Sequence, residues 1–283
     1  MTANIIDSII NIVKTEVYDL HSSYVGTNRA NAMGDALERY VTDSFANVIT
    51  GADENARNEK LSQTFSYLGN DTNPPDAMIR GGSALEVKKI QSRNSQLQLN
   101  SSNPKSKLYA DNPRITRSAV KAEEWAEKDF VYAVGLVLKN KYLRELALID
   151  ASVYCADTEV YTTVFEKIKS GLASIPNTEF SETKELGRLN RVDPLGITNF
   201  RIRGMWLLDN PFTVFKYIYQ PEVDKNFNLF GLISAEKYKS SENAEILEKM
   251  AKEIATLNIE DVKVKNPNNP AQLIQCKKII FNC

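Results

Sequence analysis

The stretch that decides the fold is PDAMIRGGSALEVK, residues 75–88. It predicts a strand, a tight turn and a second strand, because Gly81-Gly82 is a hairpin turn signal. In the second strand the apolar Leu85 and Val87 alternate with charged residues, so one face should be apolar and the other charged. The segment therefore predicts a β-hairpin that is buried on its apolar face.

The charged residues of this hairpin suit metal-assisted chemistry. Two carboxylates provide the oxygen ligands that Mg²⁺ prefers, and a lysine beside them can orient a water or stabilise a developing negative charge. These are the parts that metal-assisted hydrolysis of a phosphodiester needs. We therefore predict Asp76, Glu86 and Lys88 as catalytic residues, with Asp76 and Glu86 as the metal ligands. The alternative is a solvated hairpin with a surface ion pair.

The length of the loop tests this prediction. For Asp76 to lie opposite Glu86, the loop between the strands must hold an odd number of residues. A three-residue loop over 80–82, with a glycine in the left-handed conformation, satisfies this condition. A two-residue Gly-Gly turn would place Asp76 on the wrong face.

The composition fits a globular protein and excludes several other classes. The 283 residues are 42% hydrophobic and 25% charged, which is enough for a sizeable core. No apolar run approaches the roughly 20 residues that a membrane helix needs, and the N-terminal residues lack the pattern of a signal peptide. The three cysteines are widely spaced, which favours reduced thiols and a cytoplasmic protein.

The single histidine, His21, narrows the chemistry further. Zinc hydrolases, histidine-metal nucleases and Ser-His-Asp enzymes all depend on histidine. Carboxylates, lysine and a hard cation should therefore carry any hydrolysis. His21 itself is predicted to be a loop or cap residue.

Basic residues are concentrated in one segment, although the net charge is only −1. Residues 80–121 contain nine Lys or Arg against Glu86 and Asp111. Such an excess suits a phosphate backbone, and a solvated face is the alternative. We predict mainly DNA-backbone contacts from residues 88–121; outside the catalytic set, the candidates are Lys89, Arg93, Lys105 and Lys107.

Two amphipathic helices are predicted before the hairpin, near residues 5–17 and 28–49. Glu38 falls at the edge of the apolar face of the second helix, and a carboxylate at that position needs a partner. Two interpretations remain open. Glu38 is either an ion-paired or snorkelling side chain, or a further catalytic residue that reaches the metal site from the helix.

The segments after the hairpin complete an α/β pattern. Strands are predicted at 130–138 and 143–149, because both are rich in β-branched and aliphatic residues. The remaining predictions are a polar loop or arm at 91–113, helices at 114–127, 158–172 and 241–257, and a last strand at 277–281. This order argues for a central mixed sheet flanked by helices. We predict residues 1–150 as the catalytic core, and residues 151–283 as the DNA-recognition and sheet-completing part of the same domain.

Arginine and asparagine cluster between residues 184 and 203. Arginine pairs bidentately with guanine and asparagine with adenine, so this segment is predicted to read bases. For any one of these side chains, the alternative is a phosphate contact or an ion pair. The candidates are Arg188, Asn190, Arg191, Arg201 and Arg203.

The chain also resembles a known family through motifs spread over most of its length. They are NRAN (28–31), GDALE (34–38), FSYLGN (65–70), NPPDAM (73–78), EVKKI (86–90), ETKELGR (182–188), NRVDP (190–194), RGMW (203–206) and NPNNP (266–270). On these motifs the chain resembles type II restriction endonucleases of the NgoPII family, within the PD-(D/E)XK nuclease superfamily.

The resemblance implies a restriction-endonuclease-like core, Mg²⁺ as cofactor, and cleavage of double-stranded DNA at a short palindrome, for which it suggests GGCC. It also implies a companion DNA methyltransferase that protects host sites without stable binding. A palindromic site favours a two-fold homodimer, and a monomer that nicks each strand in turn is the alternative.

Two other functions would use the same fold. One is a DNA repair or structure-specific nuclease. The other is a DNA-binding module that no longer cuts, which would be expected to lack Asp76, Glu86 or Lys88. All three residues are present.

Overall fold

The structure is a computed structural model, and it describes residues 2–20, 32–49, 53–70, 73–139 and 142–283. His21 and the NRAN motif at 28–31 lie outside the described residues. The helix predicted over 28–49 is described from Ala32 onward.

The described elements follow the predicted α/β order. The helices are α1 (Ile5–Thr15), α2 (Ala32–Ala46), α3 (Glu54–Thr64), α4 (Arg117–Val120), α5 (Thr158–Ala173), α6 (Pro211–Val214), α7 (Ala235–Ser240) and α8 (Ala244–Glu253), with a 3₁₀ turn at Ala151–Val153. The strands are β1 (Phe65–Asn70), β2 (Asn73–Ile79), β3 (Ala84–Ile90), β4 (Gln96–Gln98), β5 (Lys107–Tyr109), β6 (Glu127–Val137), β7 (Leu143–Asp150), β8 (Glu179–Ser181), β9 (Gly187–Asn190), β10 (Phe200–Ile202), β11 (Leu207–Asp209), β12 (Asn228–Ser234), β13 (Leu257–Lys265) and β14 (Leu273–Asn282).

Nine of the described strands form one central sheet. Its order is β1-β2-β3-β6-β7-β12-β14-β13, with β5 paired to β6 off that path. The pairs β3/β6 and β7/β12 run parallel, and the other pairs run antiparallel. The predicted mixed sheet is therefore confirmed, and strands from the second half of the chain complete it.

Strand β6 shows how both faces of this sheet are covered. Val131 and Ala133 pack into the core that contains α1 and α2. Phe130 and Tyr132, which alternate with them, pack into the core on the opposite face. Because both faces of the strand are buried, its sequence is almost continuously apolar.

Helix α2 approaches the sheet closely at Gly135 of β6. A Cβ atom on Gly135 would lie 2.7 Å from Leu37 Cδ1, so any larger residue there would push Leu37 aside. Glycine permits this separation. Glu38 follows Leu37 directly, so the contact also sets the position of the predicted fourth catalytic residue.

One helix prediction is wrong and a second is too long. The helix predicted over 114–127 is reduced to α4, and Glu127 already begins β6. Between them, the Glu123 carboxylate accepts a hydrogen bond from the distant Gly81 N–H (2.8 Å), and such tertiary contacts override helix propensity. The helix predicted over 241–257 is α8, which ends at Glu253, and Leu257 begins β13. Strand β13 pairs with β14 at the end of the sheet order. Its apolar residues alternate at 257 and 259 and again at 262 and 264, with a break at Asp261.

Short strands outside the central sheet connect the two halves of the chain. Residues 91–113, predicted as a polar loop or arm, contain β4 and β5. Strand β4 pairs with β11, and the Leu99 N–H continues the ladder by donating to the Trp206 carbonyl (3.0 Å). Strands β8, β9 and β10 form a separate small sheet. Among the described residues, no helix has the length and apolar character of a membrane span.

Candidate active site

The β2–β3 hairpin has the register that the sequence predicts. Ala77 lies opposite Leu85, and the Ile79 N–H donates to the Ser83 carbonyl (2.9 Å). The loop is therefore residues 80–82, and Gly81 is left-handed with φ +64°. Both the three-residue loop and its left-handed glycine are confirmed. Continuing this register places Asp76 opposite Glu86.

Asp76 also takes part in the sheet. In a regular ladder Val87 would exchange two hydrogen bonds with Pro75, but proline has no N–H to donate. Instead the Val87 N–H donates to Asp76 Oδ2 (2.6 Å). This bond fixes the carboxylate beside β3, next to the two other predicted catalytic residues.

Glu86 and Lys88 form an ion pair inside the site, with Lys88 Nζ 2.7 Å from Glu86 Oε1. Glu86 is only 9% exposed, so this is not the surface ion pair of the alternative interpretation. The other oxygen of Glu86, Oε2, is buried and has no hydrogen-bond partner. A buried carboxylate oxygen without a donor is costly unless a cation or water satisfies it.

The electrostatics of the site favour a bound cation. Burial raises the pKa of Asp76 well above its ordinary range and the Glu86 charge raises it further, against the opposing effects of Lys88 and the Val87 N–H. For Lys88, burial lowers the pKa, but the Glu86 and Asp76 carboxylates outweigh it and the net shift is upward. Lys88 therefore stays protonated, while Asp76 resists ionisation because burial and the Glu86 charge outweigh the positive charge of Lys88.

The ligand atoms of the site suit a Mg²⁺ ion with few protein ligands better than a metal ion that is fully enclosed by protein side chains. Among the residues that the structure describes, no three His, Cys, Asp or Glu side chains come together as a metal-binding cluster. Asp76 and Glu86 supply two carboxylates, and the partnerless Oε2 of Glu86 is a free ligand atom. Mg²⁺ commonly binds through one or two carboxylates and keeps waters or phosphate oxygens as its other ligands.

Glu38 of α2 interacts electrostatically with the same site. Its neighbour Leu37 is fully buried in the core that covers the α2 face, whereas Glu38 itself is half-buried. After burial and the Glu86 charge, the charge of Glu38 also helps to raise the pKa of Asp76. Glu38 is thus within electrostatic range of the site, although it does not line the cleft described below.

A buried ion pair that the sequence pattern does not predict clamps the hairpin turn. Lys128 Nζ lies 2.5 Å from Glu123 Oε1 and donates to the carbonyls of Ile79 (3.0 Å) and Gly82 (2.8 Å). Glu123 in turn accepts the Gly81 N–H. The pair satisfies the backbone groups of the turn and holds the loop that sets the Asp76 register. No local motif marks these two residues.

A cleft of about 460 Å³ opens over the catalytic hairpin. One wall comes from Asp76, Glu86 and Lys88 together with residues 98–102, and the other wall includes Arg114, Lys184, Glu185 and Arg201. The two walls are distant in sequence. They meet because β4 pairs with β11 and because Arg114 donates to the Lys184 carbonyl (3.2 Å).

The predicted backbone-binding residues differ in accessibility. Lys89 is exposed, and Lys107 ion-pairs with Glu127 at the surface (2.6 Å). Arg93 forms an ion pair with Glu145, a fully buried residue. Lys105 is only 4% exposed, and burial lowers its pKa to about 8; its Nζ donates to Ser102 Oγ and to the Asn103 carbonyl.

The predicted base-reading residues lie on and beside the small sheet. Arg188 of β9 lies directly opposite Arg201 of β10, and Asn190 donates to Ser181 Oγ (2.5 Å). Arg191 lies 3.5 Å from Glu179 Oε2.

Arg201 and Arg203 both contact Glu185 Oε2, at 3.1 and 3.2 Å. Glu185 is a functional candidate that residue-type reasoning misses, because acidic residues do not signal DNA binding.

Fold and site together define a class of protein. The sheet is mixed and flanked by helices, one hairpin sets two carboxylates beside a lysine, and arginines face the same cleft. This arrangement is that of a restriction-endonuclease-like nuclease.

Comparison with known proteins gives the family. The sequence profile described as NgoPII restriction endonuclease matches residues 3–265. The type II restriction enzyme NgoPII of Neisseria gonorrhoeae is 48% identical over 279 residues, which cover 99% of each chain. The chain therefore belongs to the NgoPII restriction endonuclease family, and it is a type II site-specific deoxyribonuclease. No solved structure matches it.

Proposed function

We propose that this enzyme hydrolyses double-stranded DNA at the palindrome GGCC in a Mg²⁺-dependent reaction at Asp76, Glu86 and Lys88. One observation carries the proposal. The paired carboxylates and the lysine lie in the same cleft as Lys184, Glu185 and Arg201, so catalysis and recognition share one surface.

Asp76 and Glu86 would hold the metal ion, which when bound polarises the scissile phosphate and lowers the pKa of a bound water. Lys88 lies 2.7 Å from Glu86. It positions the attacking water and offsets the negative charge that develops on the phosphate. Glu38 assists from α2 by holding a water or a second metal ion. The Val87 N–H keeps Asp76 in place while the carboxylate serves as a ligand.

Base recognition is assigned to the segment 184–203. A GGCC site presents guanine O6 and N7 in the major groove, and the arginine fork matches this pair of acceptors. Arg188, Arg191, Arg201 and Arg203 are all exposed, and Asn190 lies beside them on β9. Backbone contacts are assigned to Lys89, Arg93 and Lys107. The burial of Lys105 suits a supporting position beneath the site better than a phosphate contact.

The assembly follows from the symmetry of the site. A palindrome is read most simply by a two-fold homodimer, in which each copy cuts one strand. Residues 1–150 then act as the catalytic core and residues 151–283 as the recognition and sheet-completing part. A companion methyltransferase protects host GGCC sites, and both enzymes act in the cytoplasm.

Digestion of plasmid DNA with mapped ends tests the proposal. Discrete fragments that end at GGCC, formed only with a divalent cation, are the expected result. Discrete fragments that end at another sequence would refute the assignment of GGCC. A smear or cutting confined to flaps would indicate a repair nuclease, and shifted but uncut DNA a binding module. Asp76→Ala and Glu86→Ala should bind DNA without cutting it; near-normal cutting by either would rule out the proposed site.

Binding titrations separate base readout from backbone contact. Removing a base-reading arginine should cost about 1–3 kcal/mol and relax discrimination at one base pair. Lys107→Ala should weaken every duplex equally and lower the salt slope by about one. Arginine variants that lose affinity equally for cognate and single-mismatch duplexes would refute the assignment of readout.

A further inference from the structure

Glu185 is a nearly buried carboxylate among the arginines of the cleft. Its side chain is 14% exposed. Its Oε2 atom lies 3.1 Å from Arg201 Nη2 and 3.2 Å from Arg203 Nε, and its Oε1 atom accepts a hydrogen bond from Ser101 Oγ (3.0 Å). A single carboxylate thus joins two exposed arginines to a serine of the cleft wall.

These arginines need an anion to stay together. Arg201 and Arg203 are two residues apart and project to one side of the extended chain. Arg188 lies directly opposite Arg201 in the small sheet, and like charges at opposed positions repel each other. Glu185 offsets one of the three positive charges and leaves two for a nucleic acid.

We propose that Glu185 is a specificity-determining positioning residue, which holds Arg201 and Arg203 in the orientation that reads bases. The inference rests on the proposed readout by these arginines. A bidentate contact to guanine requires a guanidinium plane that is already aimed at the base edge. Glu185 Oε2 contacts one nitrogen of each guanidinium group as an ion pair, without a directed hydrogen bond. Because Ser101 lines the same cleft as Lys88, the bond from Ser101 ties this orientation to the catalytic frame.

The expected effect is a loss of discrimination. Ordering a flexible side chain during binding costs about two- to tenfold in affinity, so freeing two arginines should lower cognate kcat/KM by roughly fourfold to a hundredfold. Mismatched duplexes, on which the arginines make fewer base contacts, should lose less. The Mg²⁺ concentration for half-maximal rate should not change, since Glu185 is not assigned to the metal.

The test uses Glu185→Gln, which keeps the shape and removes the charge. Its kcat/KM is measured on the mapped cognate duplex and on single-mismatch duplexes, after thermal unfolding has shown that the variant is folded. Glu182→Gln is the matched control, because Glu182 lies on the same segment but pairs with Lys169 outside the cleft. The expected result is a fall in the cognate-to-mismatch ratio for Glu185→Gln alone. An equal loss on every duplex, or no loss, would overturn the inference.

A double-mutant cycle with Arg201→Ala decides whether Glu185 acts through the arginine. If it does, Glu185→Gln adds little to the loss already caused by Arg201→Ala. Fully additive losses would mean that Glu185 contacts the DNA itself, and would overturn the positioning role. If Arg201→Ala and Arg203→Ala keep full discrimination, the proposed arginine readout fails, and this inference fails with it. If only Glu185→Gln keeps discrimination, the inference fails alone.

Discussion

Asp76→Asn should abolish cleavage and at the same time make the protein more stable. The substitution keeps the size of the side chain, and its amide oxygen can still accept the Val87 N–H that Asp76 Oδ2 accepts at 2.6 Å. It removes one of two carboxylates that lie together in a half-buried site. It also removes a ligand of the proposed metal ion, so the variant should bind DNA but not cut it.

The size and sign of the stability change follow from the pKa of Asp76, which burial and Glu86 raise in the folded state. Well below the ordinary pKa of about 4, the carboxyl is protonated in both states and the penalty is absent. As the pH rises toward the folded-state pKa, ionisation increasingly favours the unfolded chain. A pKa that is raised by one in the folded state corresponds to about 1.4 kcal/mol, and we expect the neutral Asn side chain to stabilise the protein by about 1–3 kcal/mol near pH 8.

Urea unfolding near pH 4.5 and pH 8, combined with plasmid cleavage, checks this prediction. The variant should exceed the wild type in unfolding free energy at both pH values, and the excess should be clearly larger at pH 8 than near pH 4.5. Mg²⁺ should stabilise the wild type but not the variant, because only the wild type retains both ligands. Asp224→Asn, which alters an exposed carboxylate, is the control and should change neither property. An Asp76→Asn variant that cuts DNA, or that is less stable at both pH values, would refute the reasoning.

Three further predictions follow from the same site. Lys88→Ala should lower the cleavage rate by about 10²–10³-fold without weakening metal binding; a variant that cuts well but binds DNA poorly would show that Lys88 is only a phosphate anchor. Glu123→Gln should reduce the unfolding free energy by about 3–5 kcal/mol, because it leaves Lys128 buried without a counter-charge, and adding Lys128→Met should recover part of the loss; chemical denaturation measures both. Lowering the pH from about 8 to 6 should raise the Mg²⁺ concentration needed for half-maximal cleavage, because protonation of Asp76 competes with the metal; titrations of rate against Mg²⁺ at each pH that coincide would contradict this.

The sequence alone determines the hairpin and its chemistry, because both depend on neighbours in the chain. Alternation over Leu85 to Lys88 sets which face of the strand each side chain occupies, and the glycines at 81 and 82 set the loop. An odd loop then dictates that Asp76 faces Glu86. The inner strands β6 and β7 can also be predicted from the sequence, because a strand buried on both faces must be apolar throughout.

Other elements cannot be found from local patterns, because distant parts of the chain decide them. The segment 114–127 has the composition of a helix. However, Glu123 accepts a hydrogen bond from Gly81 in the hairpin turn, and the buried Lys128 donates to the Ile79 carbonyl. Strand β13 has an alternating pattern that breaks at Asp261, and its pairing with β14 carries the strand through this break. Similarly, no feature of the sequence near Lys105 predicts that this lysine is buried rather than exposed.

The set of residues that line the cleft is likewise decided by the tertiary structure. Residue types single out the catalytic triplet and the arginines separately, but they give no distance between the two sets. That distance is set by the pairing of β4 with β11 and by the Ser101–Glu185 hydrogen bond, which joins residues 84 positions apart in the chain. Local propensity acts over a few residues, whereas the closure of loops of this length depends on packing across the whole fold. The sequence therefore determines which groups this enzyme carries, and only the tertiary structure decides that Asp76, Glu86 and Lys88 share one cleft with Arg201.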